Sequence, residues 1–227
     1  MMVMALCTTA VPATASNATD CTGIHSGVTY DRLEVPVGRW CQLNNVTVTG
    51  TVTVYGGLIM HDSTIGKHLF GRDALAVRVY DTDIGGQVQI SGTTGTVWIG
   101  ASQCEADPVA GGNIHVHHNH GIVVICEMNV RNNILVQQND NASGQSYIEV
   151  GGNTVGNNIN VLGNDTQLIR VVLNDVSGNI NVHQNNTSLN WLAIRWNDIG
   201  GNLNCQGNNP APVTSGNTVG GHFIGQC

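Results

Sequence analysis

Charged and aromatic side chains are both scarce in this chain of 227 residues, at 10% and 4% of the sequence. The eight lysines and arginines stand singly and the formal net charge is −7, which excludes the basic patch that nucleic-acid binding requires. No apolar run approaches the roughly 20 residues needed to cross a bilayer. Long amphipathic helical patterns are missing as well. We therefore expect no nucleic-acid partner and no membrane span.

What the chain does contain is glycine, asparagine and β-branched residues. Its 29 glycines and low charge would suit a disordered chain, but disordered chains are poor in β-branched residues. Here Val and Ile are common and alternate with polar residues, which is the period of a β-strand. The composition therefore predicts an all-β protein.

Internal repeats decide which kind of β fold is expected. Segments 83–90, 154–161, 175–182 and 198–205 each consist of a polar residue, an aliphatic residue, two turn residues and an alternating strand. Further copies start at Thr64, Val109, Asn129 and Thr218. Successive copies start 19 to 26 residues apart, so the loops vary while the strands keep their register. This spacing indicates a solenoid in which each repeat forms one coil.

Alignment of the copies separates inward from outward positions. In each of two aliphatic columns, the side chains of successive coils should stack about 4.8 Å apart in a dry core. They are Ile65, Ile84, Val130, Val155, Val176, Ile199 and Val219, and Val88, Ile114, Ile134, Ile159, Ile180, Leu203 and Phe223. Stacked asparagine amides can donate and accept along the axis at a corner. Two such columns are expected, namely Asn153, Asn174, Asn197 and Asn217, and Asn119, Asn139, Asn164, Asn185 and Asn208.

Three strands per coil with asparagine at the corners resemble the right-handed parallel β-helices of the pectate-lyase-like superfamily. The closing stretch 202–227 looks like the C-terminal end of secreted actinobacterial β-helix proteins of unassigned function. The resemblance implies one right-handed parallel β-helix of about eight or nine coils over residues 45–227. Residues 16–44 are then expected to form an N-terminal cap.

The first 15 residues are interpreted as the remnant of a signal peptide, with Ala13-Thr14-Ala15 as a small-residue cleavage site. Six cysteines follow, and an even number after a signal sequence indicates an oxidising compartment. Six cysteines allow 15 connectivities. Neighbouring gaps of 20, 22 and 22 residues favour sequential pairing as Cys21–Cys41, Cys104–Cys126 and Cys205–Cys227. We therefore expect a secreted, extracellular protein.

The strand after each two-residue turn presents an uncharged outward side rich in amides. Paired donors and acceptors at regular spacing suit sugar hydroxyls, although the alternative is a merely solvated surface. Asn133, Asn158, Asn179 and Asn202 are expected to begin this side. The candidate glycan-binding residues are Asn160, Asn181, Asn204, Gln137, His183 and Gln206.

A catalytic site is the second candidate. Asp175 and Asp198 occupy one position of adjacent coils, so their carboxylates could stand about 5 Å apart and hold Ca²⁺. Arg170 or Arg195 could then act as the base on an acidic sugar, an arrangement similar to that of pectate lyases. Against this, Glu149 beside Arg170 is equally a cross-strand salt bridge, and aspartate is favoured at turns.

Alternate histidines at 115 and 117 face one side of a strand and could together bind a transition metal. No carboxylate stands nearby as a third ligand, so an adventitious site is favoured over a functional one. No cofactor is required by any other motif.

Two hypotheses of function follow. The leading one is a non-catalytic, secreted β-solenoid that binds glycan or serves as a structural protein at the cell surface. The alternative is a polysaccharide lyase or hydrolase that acts on acidic polysaccharide, with Ca²⁺ as a possible cofactor. Both hypotheses predict an extracellular polysaccharide or the cell wall as the partner.

Overall fold

A computed structural model describes residues 18–102, 107–140, 142, 144 and 146–227. These residues form a three-sided parallel β-solenoid of about ten turns, in which every strand pairs in parallel with the equivalent strand of the next coil. No helix occurs in the described ranges. The prediction of an all-β parallel solenoid with three strands per coil is confirmed.

The strands of the described residues form three sheets. The first sheet contains Thr19–Asp20, Leu33–Val35, Val52–Val54, Leu69–Arg72, Val88–Ser91, Ile114–His117, Ile134–Gln137, Ile159–Leu162, Ile180–His183, Leu203–Gln206 and Phe223–Gly225. The second sheet contains Gly23–Ser26, Trp40–Asn44, Gly57–His61, Ala76–Tyr80, Val97–Gly100, Val123–Cys126, Tyr147–Gly151, Asp165–Val172, Asn186–Arg195 and Val213–Ser215. The third sheet contains Thr29–Tyr30, Thr47–Val48, Thr64–Ile65, Asp83–Ile84, Val109–Ala110, Asn129–Val130, Thr154–Val155, Asp175–Val176, Asp198–Ile199 and Thr218–Val219.

The solenoid has one or two more coils than expected, because its sheets start before residue 45. Leu33 pairs with Val52 in the first sheet, Cys41 with Leu58 in the second and Thr29 with Thr47 in the third. The expected cap over residues 16–44 therefore contains strands that continue into the coils. Residues 1–15, interpreted as a signal-peptide remnant, lie outside the described residues.

The core is the stack of aliphatic columns expected from the repeat. Ile65, Ile114, Ile159 and Val176 are fully buried, as are their counterparts in neighbouring coils. The last coil departs from this pattern, since Phe223 is 54% exposed and Val219 is only partly buried. In the described residues no further strand pairs beyond Phe223–Gly225, so the two side chains are covered from one side only.

Asparagine ladders close the corners between the sheets. Between the first and second sheets, the Asn139 Nδ2 donates to the Asn164 Oδ1 at 2.9 Å, and the Asn164 Nδ2 to the Asn185 Oδ1 at 2.9 Å. The second predicted ladder runs between the second and third sheets, where the Asn153 Nδ2 donates to the Asn174 Oδ1 at 2.9 Å. Both predicted ladders are confirmed.

A third ladder lies between the third and first sheets, and the sequence interpretation missed it. The Asn158 Nδ2 donates to the Asn133 Oδ1 at 3.2 Å, and the Asn179 Nδ2 to the Asn158 Oδ1 at 3.1 Å. Asn202 joins the ladder through its backbone N–H, which donates to the Asn179 Oδ1 at 2.7 Å. These half-buried side chains were expected to begin the outward side of a strand. They lie at the corner, where their amides bond to one another, and Asn133 also lines a hollow on that outward side.

Two of the three expected disulfides are present. Cys21 is bonded to Cys41 and Cys205 to Cys227, with Cα–Cα distances of 5.5 and 5.3 Å. The third expected pair includes Cys104, which lies outside the described residues. Disulfides at both ends of the solenoid are typical of proteins from an oxidising compartment.

Replacement of both Cys205 and Cys227 by alanine should lower the melting temperature. The bond closes a loop of 22 residues, which on a chain-entropy estimate stabilises the fold by about 3 kcal/mol. For a domain of this size that corresponds to roughly 6 to 12 °C. Thermal unfolding followed by circular dichroism measures the shift. A variant that melts together with the wild type would refute this role of the bond.

Candidate functional site

We call the outward side of the first sheet from strand Val88–Ser91 to strand Leu203–Gln206 the amide face. Two columns of side chains run along it. One holds Gln89, His115, Leu135, Asn160, Asn181 and Asn204, and the other holds Ser91, His117, Gln137, Leu162, His183 and Gln206. The six predicted glycan-binding residues therefore share one face, although Leu162 separates Gln137 from His183.

Hydrogen bonds order part of this face. The Asn181 Nδ2 donates to the Asn160 Oδ1 at 2.8 Å, and the Gln206 Nε2 donates to the Asn204 Oδ1 at 3.2 Å. Two hollows lie on it, one of about 400 Å³ beside Asn160 and one of about 390 Å³ beside His183 and Gln206. The face is therefore polar, uncharged and uneven.

The four predicted catalytic residues are divided between two sides of the solenoid. Asp175 and Asp198 are exposed register partners on the third sheet, as expected. Arg170 and Arg195 project from the second sheet and line a groove there whose lining includes neither aspartate. Arg170 donates to the Glu149 Oε2 at 3.3 Å, so the cross-strand salt bridge considered from the sequence is present.

His115 and His117 lie side by side on the amide face. Their rings stack with centroids 4.3 Å apart, and the His117 Nδ1 lies 2.7 Å from the His118 Nδ1. Burial lowers the pKa of both His115 and His117, and repulsion from neighbouring histidines lowers it further. Within the described residues, no group of three or more His, Cys, Asp or Glu side chains could hold a metal ion.

The histidine pair should make the fold less stable in mild acid. A lowered pKa in the folded state means that the unfolded chain binds more protons, so stability is complete above the ordinary histidine pKa of about 6.5 and falls as the pH drops below it. We expect the urea midpoint to fall between pH 7.5 and 5, and to fall less in His115→Gln/His117→Gln. His222→Gln, an exposed histidine in the last coil, is the control. An equal pH dependence in all three proteins would contradict this.

The aromatic groove is a concave feature of about 540 Å³ on the outward side of the second sheet. It is lined by Tyr147, Glu149, Leu168, Arg170, Val172, Trp191, Ala193, Arg195 and Trp196. Trp191 is 54% exposed and Trp196 is 56% exposed, so both indoles present a face to solvent. All four tryptophans of the chain lie in or directly after strands of the second sheet.

Local irregularities of the chain lie next to both rings. Thr166 pairs with Thr187 but Leu168 pairs with Trp191, so the later strand has two extra residues at this point. Asn190 lies in this bulge and has a φ of 54°. Trp191 follows it and lies in the same column as Tyr147. Trp196 has a φ of 56° and lies across the next coil, where a β-carbon at Gly216 would collide with its indole.

The charged residues that line the aromatic groove are Glu149, Arg170 and Arg195. Arg170 is paired with Glu149, whereas the Arg195 Nε is buried without a hydrogen-bond partner among the described residues. The Arg195 guanidinium lies 6.0 Å from the centre of the Trp196 ring, a cation–π distance. Two arginines and one glutamate give the groove a formal charge of +1, against −7 for the whole chain.

Tyr147 adds a hydrogen-bonding group to the groove. Burial raises the pKa of its hydroxyl, and the Glu149 carboxylate raises it further, so this hydroxyl stays protonated at neutral pH and can donate. A second hollow of about 320 Å³ extends the groove along the solenoid axis past Gly151 toward Trp98. The arrangement provides aromatic faces, hydrogen-bond donors and one unpaired cation along an elongated depression.

Comparison of the chain with known protein families, with curated proteins and with solved structures finds no match. Within the described ranges, no helix is long and apolar enough to cross a membrane.

Proposed function

We propose that this protein is a secreted, non-catalytic β-solenoid that binds a glycan chain in the aromatic groove. The observation that supports this most strongly is the pair of half-exposed indoles, Trp191 and Trp196, beside the guanidinium of Arg195. Binding sites for small polar ligands combine apolar and aromatic walls with a few placed polar groups. The aromatic groove has this composition.

A sugar ring has an apolar face and polar hydroxyls at its rim, and the aromatic groove offers partners for both. The C–H face of a pyranose is apolar and packs on the face of an indole, whose ring offers a large rigid contact area. The hydroxyls at the rim of the sugar can be bound by the Arg170–Glu149 pair and by the Tyr147 hydroxyl, which together offer donors and acceptors. An elongated groove along the axis suits a chain of sugars better than a single ring.

Two disulfides and the resemblance to pectate-lyase-like β-helices support an extracellular setting. We propose the cell wall or another extracellular polysaccharide as the partner. Lyase or hydrolase chemistry is the competing proposal, and Arg170 and Arg195 in one groove are the observation in its favour. Asp175 and Asp198 lie on the third sheet, so a Ca²⁺ site there would not belong to the same groove.

A polysaccharide array tests the proposed function. Labelled wild type should bind at least one class of extracellular polymer above background, and Trp191→Ala/Trp196→Ala should lose that binding. The same polymers, incubated with wild type and Ca²⁺, should release no unsaturated product detectable by ultraviolet absorbance. Binding to no polymer would refute the proposal, and release of unsaturated product would replace it with the lyase.

Arg195 should determine the preference for acidic over neutral polymers. Its guanidinium has no carboxylate partner in the described residues, and a charge-assisted hydrogen bond contributes about 1.5 to 3 kcal/mol. We expect Arg195→Gln to weaken binding of uronate-containing polymers about tenfold or more, with a smaller effect on neutral ones. Arg131→Gln, a change at an exposed arginine outside the groove, is the control for net charge. Equal losses in both variants would argue against a direct contact.

A further inference from the structure

The amide face carries a second concave surface whose chemistry differs from that of the aromatic groove. Its hollow of about 400 Å³ is lined by the amides of Gln87, Gln89, Asn133 and Asn160, the imidazole of His115 and the side chain of Leu135. Among the described residues, no lysine, arginine, aspartate or glutamate lines it. Because burial lowers the pKa of His115, the imidazole is neutral at neutral pH and the hollow has no net charge.

The amides of this hollow have unused hydrogen-bonding capacity. A primary amide has two N–H donors and an oxygen with two lone pairs. Within the described ranges the side-chain amides of Gln87 and Gln89 have no hydrogen-bond partner, and Asn160 accepts one bond from Asn181. These groups point to a ligand with many neutral hydroxyls and no requirement for charge.

The hollow also belongs to a longer surface. Asn160 and Asn181 are register partners, as are Leu162 and His183, and the second hollow beside His183 and Gln206 lies farther along the same face. Coils follow each other at about 4.8 Å, so the two hollows are separated by a few coil spacings along the axis. An extended chain that runs parallel to the axis could contact both.

We infer that the amide face is a second glycan site, for a neutral polysaccharide, and that one solenoid bridges two polysaccharide chains. This inference rests on the proposed function, since the aromatic groove supplies the other site. The two sites lie on different sheets and share no lining residue, so both can be filled at once. Two independent sites on one rigid body raise avidity for a polymer network without any new contact.

The test uses the full chain and three soluble neutral polysaccharides: mixed-linkage β-glucan, galactomannan and dextran. Leu135→Arg fills the hollow with a charged side chain, and Gln87→Ala/Gln89→Ala removes two amides with little change in packing. Trp191→Ala/Trp196→Ala disables the aromatic groove. Affinity is measured by calorimetry, and bridging by the light scattering of protein and polymer mixtures.

The wild type should bind at least one of the three polymers and bridge its chains. Each amide-face variant should reduce its affinity for the neutral polymer about tenfold and abolish bridging while leaving groove binding intact. If the amide-face variants bind and bridge like the wild type, the inference is overturned and the proposed function stands. If the groove variant keeps full affinity for these neutral polymers and also binds every polymer of the array like the wild type, the proposed function is wrong and the amide face is the sole site.

Discussion

Replacement of Trp191 by alanine is expected to weaken glycan binding about 30-fold or more. The indole is half exposed on the wall of the aromatic groove, in the column that it shares with Tyr147 and Leu168. Aromatic residues at the centre of a binding surface commonly contribute about 2 kcal/mol or more when truncated, and this fold-change is that free energy. Isothermal titration calorimetry with an oligosaccharide of the polymer that binds on the array gives the affinity directly.

Trp40→Ala is the matched control for this substitution. Trp40 also belongs to the second sheet and is also exposed, but it lies near the N-terminal end and lines neither hollow of the aromatic groove. Its replacement should leave the affinity unchanged. A Trp191→Ala protein that binds like the wild type, or a Trp40→Ala protein that loses binding equally, would place the ligand elsewhere.

Asn174→Ala is expected to destabilise the solenoid by about 3 to 5 kcal/mol. Asn174 is buried in the ladder between the second and third sheets. Its Nδ2 donates to the Val150 carbonyl and to the Asn197 Oδ1, both at 2.9 Å, and its Oδ1 accepts from the backbone and side chain of Asn153. Removal of the side chain leaves several buried groups unpaired, and each costs about 1 to 3 kcal/mol.

The control for the ladder is Asn181→Ala. Asn181 is half buried on the amide face and donates one side-chain bond, to Asn160 at 2.8 Å. Because water can replace that bond, the expected loss is below about 1 kcal/mol. Urea unfolding followed by circular dichroism compares the two variants. Equal midpoints would mean that burial of the amide does not determine its contribution.

The core could be predicted from the sequence because a solenoid repeats its register. Once Ile159 and Ile180 are aligned, every aliphatic residue of their columns has a fixed inward direction, and the structure buries them. The first coils were missed because residues 19–44 contain no copy of the eight-residue repeat, although their strands pair with the later ones. Backbone hydrogen bonds between parallel strands need no particular side chain, so pairing extends beyond the recognisable motif.

The third ladder could not be predicted from the alternation of side chains along a strand. Asn133 directly precedes the strand Ile134–Gln137 and Asn158 directly precedes Ile159–Leu162. By alternation these side chains should point outward with the strand, but their backbone still belongs to the corner. Register alone therefore does not reveal that these amides bond to one another along the axis, even where one of them, Asn133, also lines a hollow.

The aromatic groove could not be predicted, because its rings lie outside the repeated segments. Tyr147 and Trp191 lie in strands of the second sheet and Trp196 directly after one, in the stretches between repeated segments whose lengths differ from coil to coil. From Trp191 onward the strand keeps the register of Leu168–Val172 and Leu192 is buried, so alternation gives the outward direction of the indole, but the repeat does not indicate which coils carry aromatic rings there. The signal available in the sequence was coarser: aromatic residues are few overall, yet Trp191 and Trp196 flank Arg195.

A crystal structure of the protein with an oligosaccharide of the polymer that it binds on the array tests the central claim most directly. If the aromatic groove binds glycan, sugar density should lie in it, with one ring against Trp191, another against Trp196, and Arg195 in contact with the ligand. An oligosaccharide bound with an empty aromatic groove, whether on the third sheet beside Asp175 and Asp198 or at the end of the solenoid, would contradict it.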